Sequence, residues 1–191
     1  MNLRLEGMRA VRQPTFLAGA IVGIGIGWLV HELPYANWFA TAAPLDQTLV
    51  IREDAKGDGR FGAPRSGNRR HRGVDIEAQI GMPIRAVWSG VVIASGLHRG
   101  LGRYLELEHR SGLHSVYAHL DRTLVDVGKR VRQGQAIATV GKTGNARSRL
   151  ITPHLHLEIT RDGTPVDPST FGFQLVEVVR PEKHARQTGG E

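Results

Sequence analysis

The 191-residue sequence has no cysteine. It can build neither a disulfide framework nor a thiolate metal site, so any metal must be held by histidine, aspartate or glutamate. That confines a ligand search to nine histidines and eighteen acids. Aromatic residues are scarce, at 6%, and none is interleaved with basic residues in the manner of an RNA-binding strand. The formal charge of +7 therefore points to an anionic partner such as a membrane surface or an acidic cell-wall polymer, with no nucleic acid expected. Helical periodicity is also nearly missing between residues 47 and 179. Short apolar runs broken by glycine fill that span, which is the punctuation of an all-β domain. A chain of this length has room for one such domain with appendages.

The one long apolar run, Phe16 to Val30, follows a basic lead with Arg4, Arg9 and Arg12. This pattern predicts a transmembrane signal anchor over residues 16–33, its basic end in the cytoplasm and everything after it outside, on the periplasmic side of an inner membrane. The strict run is shorter than the roughly 20 residues of a spanning helix, but it extends to Leu33 before Pro34. Trp28, Tyr35 and Trp38 suit the aromatic belt. The alternative is cleavage at Ala40-Thr41-Ala42, which would release a secreted form. Gly19, Gly23 and Gly27 share one helix face and would permit a weak homodimer, although glycine is common in membrane helices anyway. Residues 34–46 read as a linker, 47–179 as the folded domain and 180–191 as a disordered polar tail.

Within the domain, Gly81 to Ser95 predicts a strand pair around Ser89-Gly90. Leu105 and Leu107 alternate with Glu106 and Glu108, and Ser111-Gly112 turns the chain into a second strand, Leu113 to Leu120, making a hairpin. Gly128 to Gly144 reads as a further turn-and-strand unit. Its Gly128-x-x-Val131 opening faintly echoes Gly81-x-x-Ile84, which would fit an internal duplication.

The chemistry centres on Pro153-His154-Leu155-His156-Leu157-Glu158. In an extended strand His154 and His156 share one face, and Leu155 and Leu157 the other. Upstream, His71 and Asp75 are separated by an even spacing where a glycine- and arginine-rich loop enters a strand. With His156 they would supply three N/O donors, the number in catalytic zinc sites, which keep a fourth position open. Alternation over Tyr117-Ala118-His119-Leu120 predicts Val116, Ala118 and Leu120 on the apolar face and Tyr117 with His119 on the other. Each of these patterns alone also fits ordinary solvated strand residues.

Taken in order, His71-Arg72-Gly73-Val74-Asp75, Tyr117-Ala118-His119-Leu120, Gly141-Lys142-Thr143-Gly144-Asn145 and Pro153-His154-Leu155-His156 resemble the lysostaphin-like zinc metallopeptidases that cut peptidoglycan cross-bridges. The likeness runs from about Phe61 to Phe171 and includes Val166-Asp167-Pro168. It implies an all-β fold of antiparallel sheets forming a groove, of the duplicated hybrid motif type. It further implies Zn2+ held by His71, Asp75 and His156, with His119 and His154 as unligated catalytic histidines acting on peptidoglycan stem peptides. The segment Asn145 to Thr152 departs from the family pattern in being longer and more basic, and should border the groove. Membrane anchoring favours D-alanyl-diaminopimelate bonds as the target. Two readings compete: an inactive cell-wall or division regulatory module, and a carrier module presenting Lys142. His31, His98, His109, His114 and His184 match no motif and read as surface or packing residues. Glu158, in register with His156, is a candidate to orient its imidazole.

Overall fold

The computed structural model describes residues 32–37 and 40–177. The anchor expected at 16–33, apart from its last two residues, the Gly19, Gly23 and Gly27 stripe, Trp38, His31, His184 and the tail at 180–191 lie outside them. Among the described residues no helix is long and apolar enough to cross a membrane.

The expected all-β class holds. In chain order the strands are β1 (Leu49–Ile51), β2 (Glu53–Asp54), β3 (Gly57–Asp58), β4 (Pro64–Arg65), β5 (Arg69–Arg70), β6 (Gly73–Glu77), β7 (Pro83–Arg85) and β8 (Gly90–His98). They continue with β9 (Gly102–Glu108), β10 (Leu113–Ala118), β11 (Leu120–Thr123), β12 (Arg130–Val131), β13 (Ala136–Val140), β14 (His154–Arg161), β15 (Thr164–Val166) and β16 (Leu175–Glu177). Helical structure among the described residues amounts to short 3-10 turns, such as Gly144–Arg147 and Pro168–Phe171.

The main sheet runs β12-β8-β9-β10-β14-β6-β1-β16, with β15 beside β14. A second sheet is β11-β13-β7, and β2-β3 and β4-β5 are separate hairpins. The main sheet is mixed and not purely antiparallel as expected, because β1 and β16 pair in parallel with Leu49 opposite Leu175. These strands come from opposite ends of the domain, so no tight turn forces them to run in opposite senses. Leu105, Leu107, Leu155, Leu157, Ile159 and Ile76 are fully buried on the apolar face, each contributing roughly 1.5–3 kcal/mol of burial.

The β9-β10 hairpin forms as predicted, with Tyr117 opposite Leu105. The strand pair around Ser89-Gly90 does not. β7 pairs with β13, whereas β8 pairs with β9 and β12. Between them Ala86, Val87 and Trp88 pass through the core. The Gly128 to Gly144 unit behaves likewise, since its strands β12 and β13 join different sheets. Reciprocal backbone bonds accompany both departures. Gly81 N donates to Val140 O at 2.8 Å and Gly128 N to Val92 O at 2.8 Å, while Val140 N reaches Met82 O and Val92 N reaches Lys129 O, each at 2.9 Å. The turn before β7 thus clasps β13 and the turn before β12 clasps β8, so the two segments exchange partners.

The stretch expected as a linker contributes to this domain from Tyr35 onward. Ala42 N donates to Val87 O at 3.0 Å, Ser89 N to Asn37 Oδ1 at 2.8 Å, and Leu45 is fully buried.

Candidate metal centre and groove

β14 lies antiparallel to β6 with His156 directly opposite Asp75 and His154 opposite Glu77. Directly opposed residues share a sheet face, so the alternation expected from the sequence carries Asp75, His154 and His156 to one side and Leu155 and Leu157 to the core. Gly73 lets the two strands close up, because a β-carbon there would overlap the carbonyl of Leu157. His71 precedes β6 and is pinned by backbone bonds from its N to Ala63 O and from Gly62 N to its O, each 2.9 Å.

Asp75 Oδ1 stands 2.7 Å from His156 Nδ1, 3.2 Å from His71 Nε2 and 3.8 Å from His154 Nε2. The facing atoms of His71, Asp75 and His156 lie within 4.8 Å of one another, and all three residues are buried. The remaining ring nitrogens are accounted for. His71 Nδ1 faces Arg60 O at 2.8 Å, His154 Nδ1 faces Thr152 O at 2.7 Å, and His119 Nδ1 faces Thr143 O at 3.0 Å. A carbonyl accepts only, so each Nδ1 carries the proton and each Nε2 offers a lone pair. His156 is turned the other way: its Nε2 donates to Glu158 Oε1 at 3.0 Å, leaving Nδ1 toward Asp75. Glu158 thus sits where the sequence placed an orienting carboxylate. Two imidazole lone pairs and a carboxylate, each oriented from behind, fit a borderline divalent cation such as zinc.

With protons in place of a cation these groups pair with one another instead, and a cation would displace the protons. Burial pushes the Asp75 carboxyl up, but hydrogen bonds from His156 and His71 outweigh it and hold it well below the carboxylate range. Burial opposes protonation of His156, yet Asp75 and Glu158 raise it to about 9. For His119, burial first and the neighbouring imidazoles second bring the value down to about 3. His154 is lowered by burial. Both are therefore neutral at pH 7.

The structure brings all five predicted residues together but corrects the face assigned around His119. Ser115 and Tyr117 are fully buried in the core, whereas His114 and Val116 line the groove. His119 joins the groove side because its φ is +61°, in the left-handed region, which breaks the strand alternation after Ala118. Its ring lies edge-on to His154, centroids 4.8 Å apart. Thr143 secures it: the hydroxyl donates to Leu120 O and accepts from Arg103 N, leaving the carbonyl free for His119.

The groove has a volume of about 890 Å³. Asn145, Ala146 and Ile151 of the long loop border it as expected, and His98 and His114, read from the sequence as surface or packing residues, also line it. Arg52 has no local sequence signal. It is buried behind Asp75, its Nη2 2.9 Å from Oδ2 and its Nη1 2.7 Å from Asp54 Oδ2.

Residues 69–168 match the profile described as Peptidase family M23. The chain is 41% identical over 102 residues to a Vibrio cholerae protein named Peptidoglycan DD-endopeptidase ShyC, which covers 53% of this chain and 23% of that relative. It is 37% identical over 139 residues to a Salmonella dublin protein named Murein hydrolase activator NlpD, covering 72% and 34% respectively. Among solved structures, the catalytic domain of the antimicrobial peptidase lysostaphin from Staphylococcus simulans superposes with a TM-score of 0.52 at 32% identity, covering 62% of this chain and 91% of that domain. The chain spans about a quarter to a third of the length of the two named full-length relatives.

Proposed function

The chain belongs to peptidase family M23, and from that premise we propose that it is a zinc-dependent endopeptidase that hydrolyses peptide cross-links of bacterial peptidoglycan. The observation that carries this reading is the convergence of His71 Nε2, Asp75 Oδ1 and His156 Nδ1 beside two further imidazoles. Zinc bound there would supply Lewis acidity toward a scissile carbonyl and toward water. Asp75 contributes the negative charge that holds the cation, and Glu158 keeps His156 presenting Nδ1. His154 and His119 are the acid–base residues. Each is neutral, each has an Nε2 lone pair, and neither is needed as a ligand. They take the proton of the attacking water and return one to the leaving amine, help worth roughly 10²- to 10⁴-fold in rate.

The proposed bond is D-alanyl-diaminopimelate. The proposed setting is the outer face of an inner membrane, with residues 16–33 as the anchor. The relative named a DD-endopeptidase supports the former, and the basic lead before the apolar run supports the latter. The relative named an activator favours a second reading, a non-enzymatic regulator of another hydrolase. The complete donor set with every second nitrogen hydrogen-bonded favours hydrolysis, since a regulator needs no such set. Digestion of purified sacculi by the full chain in detergent, with and without a chelator, tests this by product mass. New chelator-sensitive amine and carboxyl termini are expected; their absence would leave the regulator reading.

A further inference from the structure

β4 and β5 form a two-stranded arm whose turn uses Gly67 and Asn68, both at positive φ, and which runs directly into His71. Arg65, Arg69 and Arg70 of this arm all line the groove. The register sets Arg65 directly opposite Arg69, and like charges so opposed destabilise a hairpin. Other arginines nearby are neutralised: Arg60 pairs with Asp58 and Glu177, and Arg52 with Asp54 and Asp75. Among the described residues Arg69 and Arg70 have no carboxylate partner. Arg69 donates to Ser66 O at 3.1 Å, and Arg70 to Gly62 O at 3.2 Å. Arg65 donates to Pro64 O at 3.2 Å and reaches the far oxygen of Asp75 at 3.6 Å, an oxygen already held by Arg52. The acids that also line the groove are spoken for, Glu158 by His156 and Glu106 by His114.

We propose that this arm is a carboxylate-binding wall, and that Arg65, Arg69 and Arg70 select peptides bearing free carboxylates next to the scissile bond. The inference rests on the hydrolase reading above and adds to it the charge class of the substrate. A planar guanidinium matches a carboxylate in shape and donates two parallel hydrogen bonds to it. The arm is continuous with His71, so an anion bound on it is held at a fixed distance from the metal position. The fold gains nothing from the uncompensated charge; a bound anion removes the repulsion.

Two cross-linked peptides identical in sequence, one with free carboxylates and one with those groups amidated, test the wall with the zinc-loaded full chain. The native protein should favour the acidic peptide in kcat/KM, mainly through KM, with a preference that shrinks as salt is added. Arg69→Gln with Arg70→Gln should reduce that preference roughly threefold to thirtyfold, the effect of one or two exposed ion pairs. Lysine at both positions should restore part of it. Equal kcat/KM on both peptides for the native protein would overturn the proposal, as would an undiminished preference in a folded double-glutamine variant. Cleavage of neither peptide by the native protein would defeat the hydrolase reading, and this proposal with it.

Discussion

Arg52 and Asp75 form a buried ion pair across 23 positions of sequence, Nη2 to Oδ2 at 2.9 Å, on the side of the carboxylate turned away from the histidines. One oxygen of Asp75 thus faces the metal position while the other is fixed by a guanidinium that also holds Asp54. Removing one partner of a buried pair leaves the other charge unpaired, at a cost of about 3–5 kcal/mol. Arg52→Met should therefore lower stability by an amount of that order. It should also weaken zinc binding about 10- to 100-fold, the usual effect of losing a group that orients a ligand. Chemical denaturation and competition with a chromophoric chelator measure the two; unchanged zinc affinity in a folded variant would exclude the orienting role.

The two histidines of β14 should separate in their effects. His156→Ala removes a proposed ligand and should abolish both zinc binding and hydrolysis. His154→Ala removes only a proton carrier, so it should keep most of the zinc and lose roughly 10²- to 10⁴-fold in kcat. Metal content by atomic emission beside steady-state rates checks this. Normal turnover by His154→Ala would reassign the proton carrier.

His109 gives a pH dependence away from the metal position. It is buried against Trp88, with Ser89 O at 3.0 Å and Ser115 Oγ at 2.7 Å, and burial brings its pKa down to about 4. An unfolded histidine titrates near 6.5. Between those values the unfolded chain binds more protons, so stability falls as pH falls, by about 3 kcal/mol at most. His119, also depressed, acts in the same direction. His156, raised to about 9, acts oppositely: its contribution is present below pH 6.5 and lost as pH rises through 9. Comparing His109→Gln with the native chain isolates the first effect. Urea midpoints from pH 7 to 4.5, with chelator present, should fall less steeply for the variant; parallel slopes would remove His109 as the cause.

Gly102 connects backbone geometry to His119. Its φ is +67°, and a β-carbon there would overlap Thr143 Oγ1 and the backbone of Gly144. Gly102→Ala should cost about 1–3 kcal/mol in strain. By displacing the Thr143 carbonyl it should also lower kcat with little change in zinc affinity. Thermal melts, chelator competition and rates together decide it. A destabilised variant that turns over normally once folded would mean that Thr143 does not position His119.

Alternation and turn residues were enough to read the all-β class, the β9-β10 hairpin and the shared face of His154 and His156, and the five site residues were grouped by the resemblance of ordered motifs to a known family. Each of these follows from the geometry of a single segment or from a pattern of residues in order along the chain. Tertiary structure alone decided the rest. Exchange of partners between the β7-β8 and β12-β13 segments undid two hairpins that local pattern favoured. The left-handed residue at His119 reversed a face that strict alternation had assigned. Arg52, from the link between β1 and β2, and the carbonyls of Arg60, Thr143 and Thr152 fixed the carboxylate and imidazoles. Those relationships depend on which distant segments pair, a long-range outcome that no residue spacing within one segment encodes.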